Sequence, residues 1–201
     1  MKIIAQSWAK TSDLPKYIFL NEKLGYTDPK YDKCLYWSRQ WEYGWIREIL
    51  QKISKNQSLL DVGVTPNTRM KCLLENLDFD LHSCDIYDHR DFKNFTKCNI
   101  KENPYQDESF DNVMSISTIE HDDDPLACLK GMIRITKGGG LIILTLDYGE
   151  FGGWPIQKDK LLKFLEFLGI KSLPPYPQDL IKSEDYCSIN GIRVLGLILQ
   201  K

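Results

Sequence analysis

From Lys55 onward, short apolar segments alternate with segments of helical periodicity, and this alternation limits the fold more than any other feature of the chain. Short apolar runs are typical of buried strands, and amphipathic runs are typical of helices. The predicted strands are 58–62, 81–86, 95–100, 110–117, 141–146 and 193–199, with a further short strand near Ile170. The predicted helices are 68–76, 125–136 and 158–168. Strands alternating with helices predict a doubly wound α/β domain, with a mostly parallel sheet and helices on both faces.

Residues 1–54 differ from the rest of the chain because they are aromatic and charged. Two tryptophans are followed by aliphatic residues at helical spacing, namely Ile46, Ile49, Leu50 and Ile53. We therefore predict an N-terminal helical extension over 1–54 that packs on the main domain, 55–201. Most of its rings are expected to bury the extension against the sheet, with Tyr36, Trp37 and Arg39 as candidates for ligand contact.

Composition argues against several classes of function. The 201 residues carry 26 basic and 28 acidic side chains, a net charge of −2, so nucleic acid is not an expected partner. The apolar runs are too short to span a bilayer and the start lacks a signal-peptide core, which favours a cytoplasmic protein without a membrane span. The six cysteines form no C-x-x-C pair, so we expect reduced thiols and no metal site.

The carboxyl ends of the strands are where an open parallel sheet binds its ligands. The first strand after Lys55 ends in Asp61-Val62-Gly63, and Gly63 permits a tight turn that a ligand can approach closely. The second strand ends near Asp85, twenty-two residues further on. An acid at about this spacing is placed to accept hydrogen bonds from ribose hydroxyls. The turn alone is a weak signal for a nucleotide because G-x-G-x-x-G is absent.

Three further segments carry a family resemblance. Segment 99–111 contains Pro-Tyr and then Ser-Phe-Asp, segment 115–121 ends in Glu-His, and 137–140 reads Lys-Gly-Gly-Gly before an apolar strand. In this order and with these gaps, they resemble class I S-adenosylmethionine-dependent methyltransferases over residues 56–170. The resemblance implies a seven-stranded Rossmann-like sheet and S-adenosylmethionine as the cofactor.

The glycine loop departs from the family's usual first motif, Asp/Glu-x-Gly-x-Gly-x-Gly. Asp61 and Gly63 match it and are implied to shape the loop around the methionine part of the cofactor, whereas Thr65 and Asn67 replace the second and third glycines. Their side chains would either crowd the cofactor or supply polar contacts to it. This variant loop, together with tract 38–43, resembles bacterial methyltransferases of surface-glycan and small-molecule pathways.

The resemblance also implies a set of cofactor-binding positions. They are Asp61, Gly63, Thr65, Asp85, Ile86, Asn99, Ile100 and Ser117. Asp85 would take the ribose hydroxyls, and Ile86 would pack on the adenine. Asn99 would bind the adenine amino group with Ile100 beside it, and Ser117 would lie near the methionine moiety. Two alternatives stay open, since Asp85 also fits a solvated acid at a strand end and Asn99 a turn residue.

Methyl transfer chiefly requires that an acceptor is aligned with the sulfonium carbon and that water is excluded. A hydroxyl acceptor also needs a group that takes its proton. His121 is the first candidate, because it follows a strand at the carboxyl edge and titrates near neutral pH. A purely structural histidine is the alternative. Asp147 and Tyr148, which follow the next strand, are further candidates, and segment 148–154 is a candidate acceptor loop.

The sequence therefore predicts an S-adenosylmethionine-dependent methyltransferase that acts on a small-molecule or glycan-precursor acceptor, with oxygen as the preferred target. One alternative is a catalytically silent binding or scaffold protein that keeps the fold, which the altered glycine loop favours. A nicotinamide-dependent oxidoreductase is a third reading, which the missing G-x-G-x-x-G argues against. Neither the acceptor's identity nor the oligomeric state follows from the residues.

Overall fold

The computed structural model describes residues 1–25, 33–89, 92–148, 156, 158–170 and 193–201, and they form one seven-stranded mixed sheet. The strands are β1 (Lys2–Trp8), β2 (Gln57–Val62), β3 (Phe79–Asp85), β4 (Phe95–Lys97), β5 (Phe110–Ile116), β6 (Thr136–Tyr148) and β7 (Arg193–Gln200). Their order across the sheet is β1-β7-β6-β5-β2-β3-β4.

Strands β2 to β6 are all parallel to their neighbours, whereas β7 runs antiparallel to β6 and to β1. The parallel core follows from the helices and loops that return the chain to the same edge between these strands. The carboxyl ends of β2, β3, β5 and β6 therefore meet at one edge of the sheet. This confirms the predicted α/β core, and the antiparallel β7 makes the sheet mixed.

Helices cover both faces of the sheet, as predicted. They are α1 (Ile18–Lys23), α2 (Lys33–Leu50), α3 (Asn67–Leu73), α4 (Pro125–Ile135) and α5 (Lys158–Phe167), with 3₁₀ turns at Thr11–Tyr17, Ile100–Glu102 and Ile119–His121. Apolar side chains of α1, α2 and α3 pack in one core cluster, and those of α4 and α5 pack in another. None of the described helices is long and apolar enough to cross a membrane.

The N-terminal segment is only partly the helical extension that we predict. Its helices α1 and α2 are present, but its first residues form the edge strand β1. Within the described part of the chain, strand β1 pairs with β7 alone, so that Lys2 lies opposite Gln200. The prediction missed β1 because this edge strand is largely exposed and has little apolar periodicity of its own, and its partner lies at the other end of the sequence.

The bounds of several strands differ from the prediction. Ile170 itself is not part of a strand, and residues 171–192, where the predicted strand near Ile170 would continue, lie outside the described part of the chain. Among the described residues, β1 completes the seven strands. The glycines at 138–140, which we expect to launch a strand at Leu141, lie inside β6. Strand β3 ends at Asp85, so Ile86 is the first residue after it.

Candidate active site

A cavity of about 380 Å³ lies at the carboxyl ends of β2 and β3, beside the segments that follow β4 and β5. Its lining includes six of the residues singled out from the sequence: Gly63, Asp85, Ile86, Asn99, Ile100 and His121. The parallel strands bring these residues together because each lies at or just beyond a strand end on the same edge. We call this cavity the cofactor pocket, because it holds positions that the family resemblance assigns to the cofactor.

A second cavity, of about 420 Å³, lies at the opposite end of the sheet beside Lys137 and Gly138. It is at the amino ends of β5 and β2, next to Asn112 and Gln57. Parallel sheets bind their ligands at the carboxyl ends, so the cofactor pocket is the better candidate despite its slightly smaller volume.

Gly63 lines the cofactor pocket, and its backbone has a left-handed conformation that favours glycine. Its φ is +80°, and a Cβ at this position would lie 2.1 Å from Cγ2 of Thr118. The Gly63 N–H donates to the carbonyl of Cys84 at 2.9 Å, which ties the turn to β3. The turn after β2 thus approaches the segment after β5 too closely for a side chain.

Asp85 is held in place by the backbone on both sides of the pocket. Its Oδ2 accepts from the Val64 N–H at 3.0 Å, and its Oδ1 accepts from the Tyr87 N–H at 2.8 Å. An ionised carboxylate has about four acceptor sites, so both oxygens keep capacity for a ligand. The carboxylate that lines the pocket is therefore oriented before any ligand binds.

Asp61 and Thr65 stabilise the glycine loop through hydrogen bonds to each other and do not line the cofactor pocket. Thr65 N–H donates to Asp61 Oδ2 at 2.9 Å, and Thr65 Oγ1 lies 3.5 Å from Asp61 Oδ1. Complete burial raises the pKa of Asp61 to about 7, against the lowering effect of the Thr65 hydrogen bonds. The threonine that stands in place of a glycine is thus used as an internal support of the loop.

Asn99 and the isoleucines form the polar and apolar walls of the cofactor pocket. Asn99 Oδ1 accepts from the Lys101 N–H at 3.0 Å and so caps the 3₁₀ turn at Ile100–Glu102. Ile100 is buried, whereas Ile86 is exposed at the pocket mouth, as is Tyr87 beside it. Asn99 is a turn residue by its hydrogen bond and also lines the pocket.

Ser117, by contrast, belongs to a second group of residues at the ends of β5 and β6. Its hydroxyl donates to Glu42, a fully buried residue of α2, and lies 3.2 Å from Asp147 Oδ1. Thr145 Oγ1 donates to the same Glu42 oxygen at 2.6 Å. Arg39 Nη1 donates to the other oxygen of Glu42 at 2.7 Å. The network fastens α2 to the carboxyl edge of the sheet.

Glu120 adds a third carboxylate to this group. Its Oε1 accepts from the Asp147 N–H at 2.9 Å, and its Oε2 has no hydrogen-bond partner among the described residues. Burial, and then the nearby Asp147 charge, raise the pKa of Glu120 well above its usual range. Burial, and then the charge of Glu42, raise the pKa of Asp147 to about 6. We call Glu42, Glu120 and Asp147 the acidic cluster.

The three candidate proton acceptors lie in three different environments. His121 lines the cofactor pocket, and Asp147 belongs to the acidic cluster. Tyr148 is buried, with its ring 6.2 Å from that of Trp8. Successive residues of a strand face opposite sides of the sheet, so Tyr148 faces away from the acidic cluster.

Glu42 is the functional candidate that sequence reasoning missed. The sequence shows only that Glu42 stands between Trp41 and Tyr43, three residues after Arg39, and its burial is visible only in the structure. Thr118 was also missed as a lining residue of the cofactor pocket, although it lies within the 115–121 segment that carries the resemblance. Among the described residues, no group of three or more metal-ligating side chains is arranged to hold a metal ion.

Residues 60–144 match the family model described as a methyltransferase domain. The matched segment runs from β2 into β6 and contains Gly63, Asp85 and Asn99. No curated protein matches the chain in sequence.

Solved structures share the fold at low identity. A Bacillus halodurans protein described as a methyltransferase gives a TM-score of 0.56 at 13% identity, over 80% of this chain and 98% of its own. The Burkholderia thailandensis 1,6-didemethyltoxoflavin-N1-methyltransferase, solved with S-adenosylhomocysteine, gives 0.55 at 13% identity, over 94% and 88%. The [4+2]-cyclase SpnF gives 0.56 at 13% identity, over 80% and 83%. These likenesses show a common fold, and together with the domain match they support a methyltransferase.

Proposed function

We propose that this protein transfers the methyl group of S-adenosylmethionine to a small-molecule or glycan-precursor acceptor, at a hydroxyl oxygen. The observation that carries the proposal is the convergence of Gly63, Asp85 and Asn99 on one cavity at the carboxyl edge of the sheet. Its volume of about 380 Å³ lies within the range of small-molecule sites, roughly 300–1,000 Å³.

The residues of the cofactor pocket fit this cofactor. Asp85 would accept hydrogen bonds from the ribose hydroxyls with the capacity that its backbone bonds leave. The exposed Ile86 and the buried Ile100 would both pack against the adenine. Asn99 Oδ1 has a second lone pair for the adenine amino group. Gly63 adds no side chain to the pocket, whereas a Cβ at this position would clash with Thr118.

When bound, S-adenosylmethionine supplies an electrophilic methyl carbon on a positively charged sulfur. The chain then has to align the acceptor, exclude water and receive the hydroxyl proton. We assign the proton to His121, because it lines the cofactor pocket, whereas Asp147 is engaged with Ser117 and the Arg39 guanidinium.

Calorimetric titration with S-adenosylmethionine, S-adenosylhomocysteine and NAD tests the proposal. We expect micromolar binding of the first two and none of NAD. Asp85→Ala is expected to weaken binding more than about tenfold, since it removes a charged acceptor of two ligand hydrogen bonds. Asp80→Asn, which removes an exposed acid of the same strand, serves as the control. Absence of binding to the wild type, or unchanged affinity in Asp85→Ala, would contradict the cofactor assignment.

A further inference from the structure

The acidic cluster adjoins the cofactor pocket along the chain and in space. Thr118, Ile119 and His121 line the pocket, whereas Ser117 and Glu120, which alternate with them, bond within the cluster. The segment after β5 therefore faces the cofactor on one side and the cluster on the other. A group that enters the cluster lies next to the cofactor pocket.

Charge in the cluster is unbalanced. Its three carboxylates come from three separate elements: α2, the 3₁₀ turn after β5, and the end of β6. Among the described residues, Arg39 is the one cation in ion-pair contact with them, at 2.7 Å from Glu42 and 3.8 Å from Asp147. When all three groups are ionised, they carry more negative charge than one guanidinium can neutralise, and they are largely removed from water.

Glu120 provides an independent sign that a donor is missing. The residue is only 4% exposed, and its Oε2 has no partner among the described residues. A buried acceptor without a partner costs about 1–3 kcal/mol, more for a charged group, and in native proteins such an atom usually has a specific reason. The cluster is not sealed, because the side chains of Asp147 and Arg39 remain 16% and 27% exposed. A ligand can therefore reach it from that side.

We propose that the acidic cluster binds a protonated amine of the acceptor, so that the methylated substrate is an amine-bearing small molecule such as an amino sugar. An ammonium group brings a positive charge and three N–H donors, which match the excess of carboxylates and the free Oε2 of Glu120. The raised pKa values of Glu120 and Asp147 agree with this, because burial first and then a neighbouring carboxylate raise them, and a bound cation would favour the charged carboxylate forms. The inference rests on the proposed methyl transfer for the identity of the acceptor.

Matched amine and neutral probes test the inference without any need for turnover. D-glucosamine is compared with D-glucose, and ethanolamine with ethylene glycol, by calorimetry at pH 7.5, with and without saturating S-adenosylhomocysteine. We expect the amine to bind at least about tenfold more tightly than its neutral partner in each pair, as for a charge-assisted contact. Equal binding within both pairs would overturn the inference.

Variants locate the site. In Asp147→Asn and Glu120→Gln, the preference for the amine should fall about tenfold, while affinity for S-adenosylhomocysteine stays within about twofold. The control, Asp80→Asn, removes an acid that is 65% exposed on β3 and should leave the preference unchanged. A preference that survives both cluster variants would place the amine elsewhere and refute the assignment.

Failure of the proposed function is distinguishable from failure of this inference. Absence of S-adenosylhomocysteine binding to the wild type would contradict the cofactor assignment, while the titrations without S-adenosylhomocysteine would still measure amine selection.

Arg39→Gln distinguishes an ammonium site from a purely structural network. Removing the cluster's counter-ion should weaken the fold yet increase thermal stabilisation by D-glucosamine, because more carboxylate charge is left unpaired. A smaller stabilisation than in the wild type would count against an ammonium site.

Discussion

Gly131→Ala is the substitution for which local and tertiary effects oppose each other most directly. Gly131 lies in the interior of α4, where alanine is the better helix former. In the folded protein, however, a Cβ at Gly131 would lie 2.2 Å from the carbonyl oxygen of Ile100. That carbonyl also accepts from Asn103 Nδ2 at 2.6 Å, so it is held in place. The neighbour that must move is backbone beside the cofactor pocket.

The magnitudes decide the sign. Replacing a helical glycine by alanine gains about 1 kcal/mol in helix propensity. Against this, the Cβ and the Ile100 oxygen have to separate by at least about 1.2 Å to reach ordinary contact. Because this oxygen belongs to hydrogen-bonded backbone, we expect the upper part of the usual overpacking cost of about 1–3 kcal/mol. We expect Gly131→Ala to lower the free energy of unfolding by about 1–2 kcal/mol. Displacement of Ile100 and Asn99 should also weaken S-adenosylhomocysteine binding several-fold.

Urea unfolding followed by tryptophan fluorescence measures the first effect, and calorimetry measures the second. Gly138→Ala is the matched control, because a Cβ there meets nothing within 4 Å. It should change stability by less than about 0.5 kcal/mol. If Gly131→Ala were as stable as the wild type or more stable, the close approach of α4 to the Ile100 carbonyl would not be a feature of the protein in solution.

Two further predictions concern the acidic cluster. Glu42→Ala should lower the free energy of unfolding by about 3 kcal/mol, because it leaves Arg39 without its closest acid and the hydroxyls of Ser117 and Thr145 without their buried acceptor. A loss below about 1 kcal/mol in urea unfolding would show that the network is not formed. The second prediction follows from the pKa of Asp147, which is raised to about 6, so that the folded protein binds this proton more tightly than the unfolded chain. The stability of the wild type relative to Asp147→Asn should therefore rise by about 1 kcal/mol as the pH falls from 7 to 5, and a constant difference in parallel urea titrations would contradict the raised pKa.

Local pattern was sufficient for the parallel core. Apolar runs and amphipathic segments predicted β2 to β6 and α3 to α5 within a few residues, because burial on both faces of a sheet imposes those patterns directly. The start of α4 was predicted from Asp124 before Pro125, and Asp124 Oδ1 does accept from the Ala127 N–H at 3.0 Å. Strand β1 was not predictable in this way, since the strand that it pairs with, β7, lies at the other end of the sequence.

The candidate site, like the fold, was predictable from the sequence only in part. Gly63, Asp85 and Asn99 could be assigned to one edge because the carboxyl ends of parallel strands meet there, whatever the details of packing. The sequence could not show that Thr65 would support Asp61 rather than line the pocket. It also could not separate Tyr148, which packs against Trp8, from Asp147.

The sequence by itself determined the α/β class, the edge that carries the pocket and the glycine turn after β2, because each follows from periodicity or from the backbone freedom of one residue. Only the tertiary structure decided that Glu42 meets Ser117, 75 positions away, and Thr145, 103 positions away. It also decided that the helical Gly131 faces a carbonyl. Buried polar networks and close backbone contacts join residues that are distant in sequence, and no local pattern encodes which of them will meet.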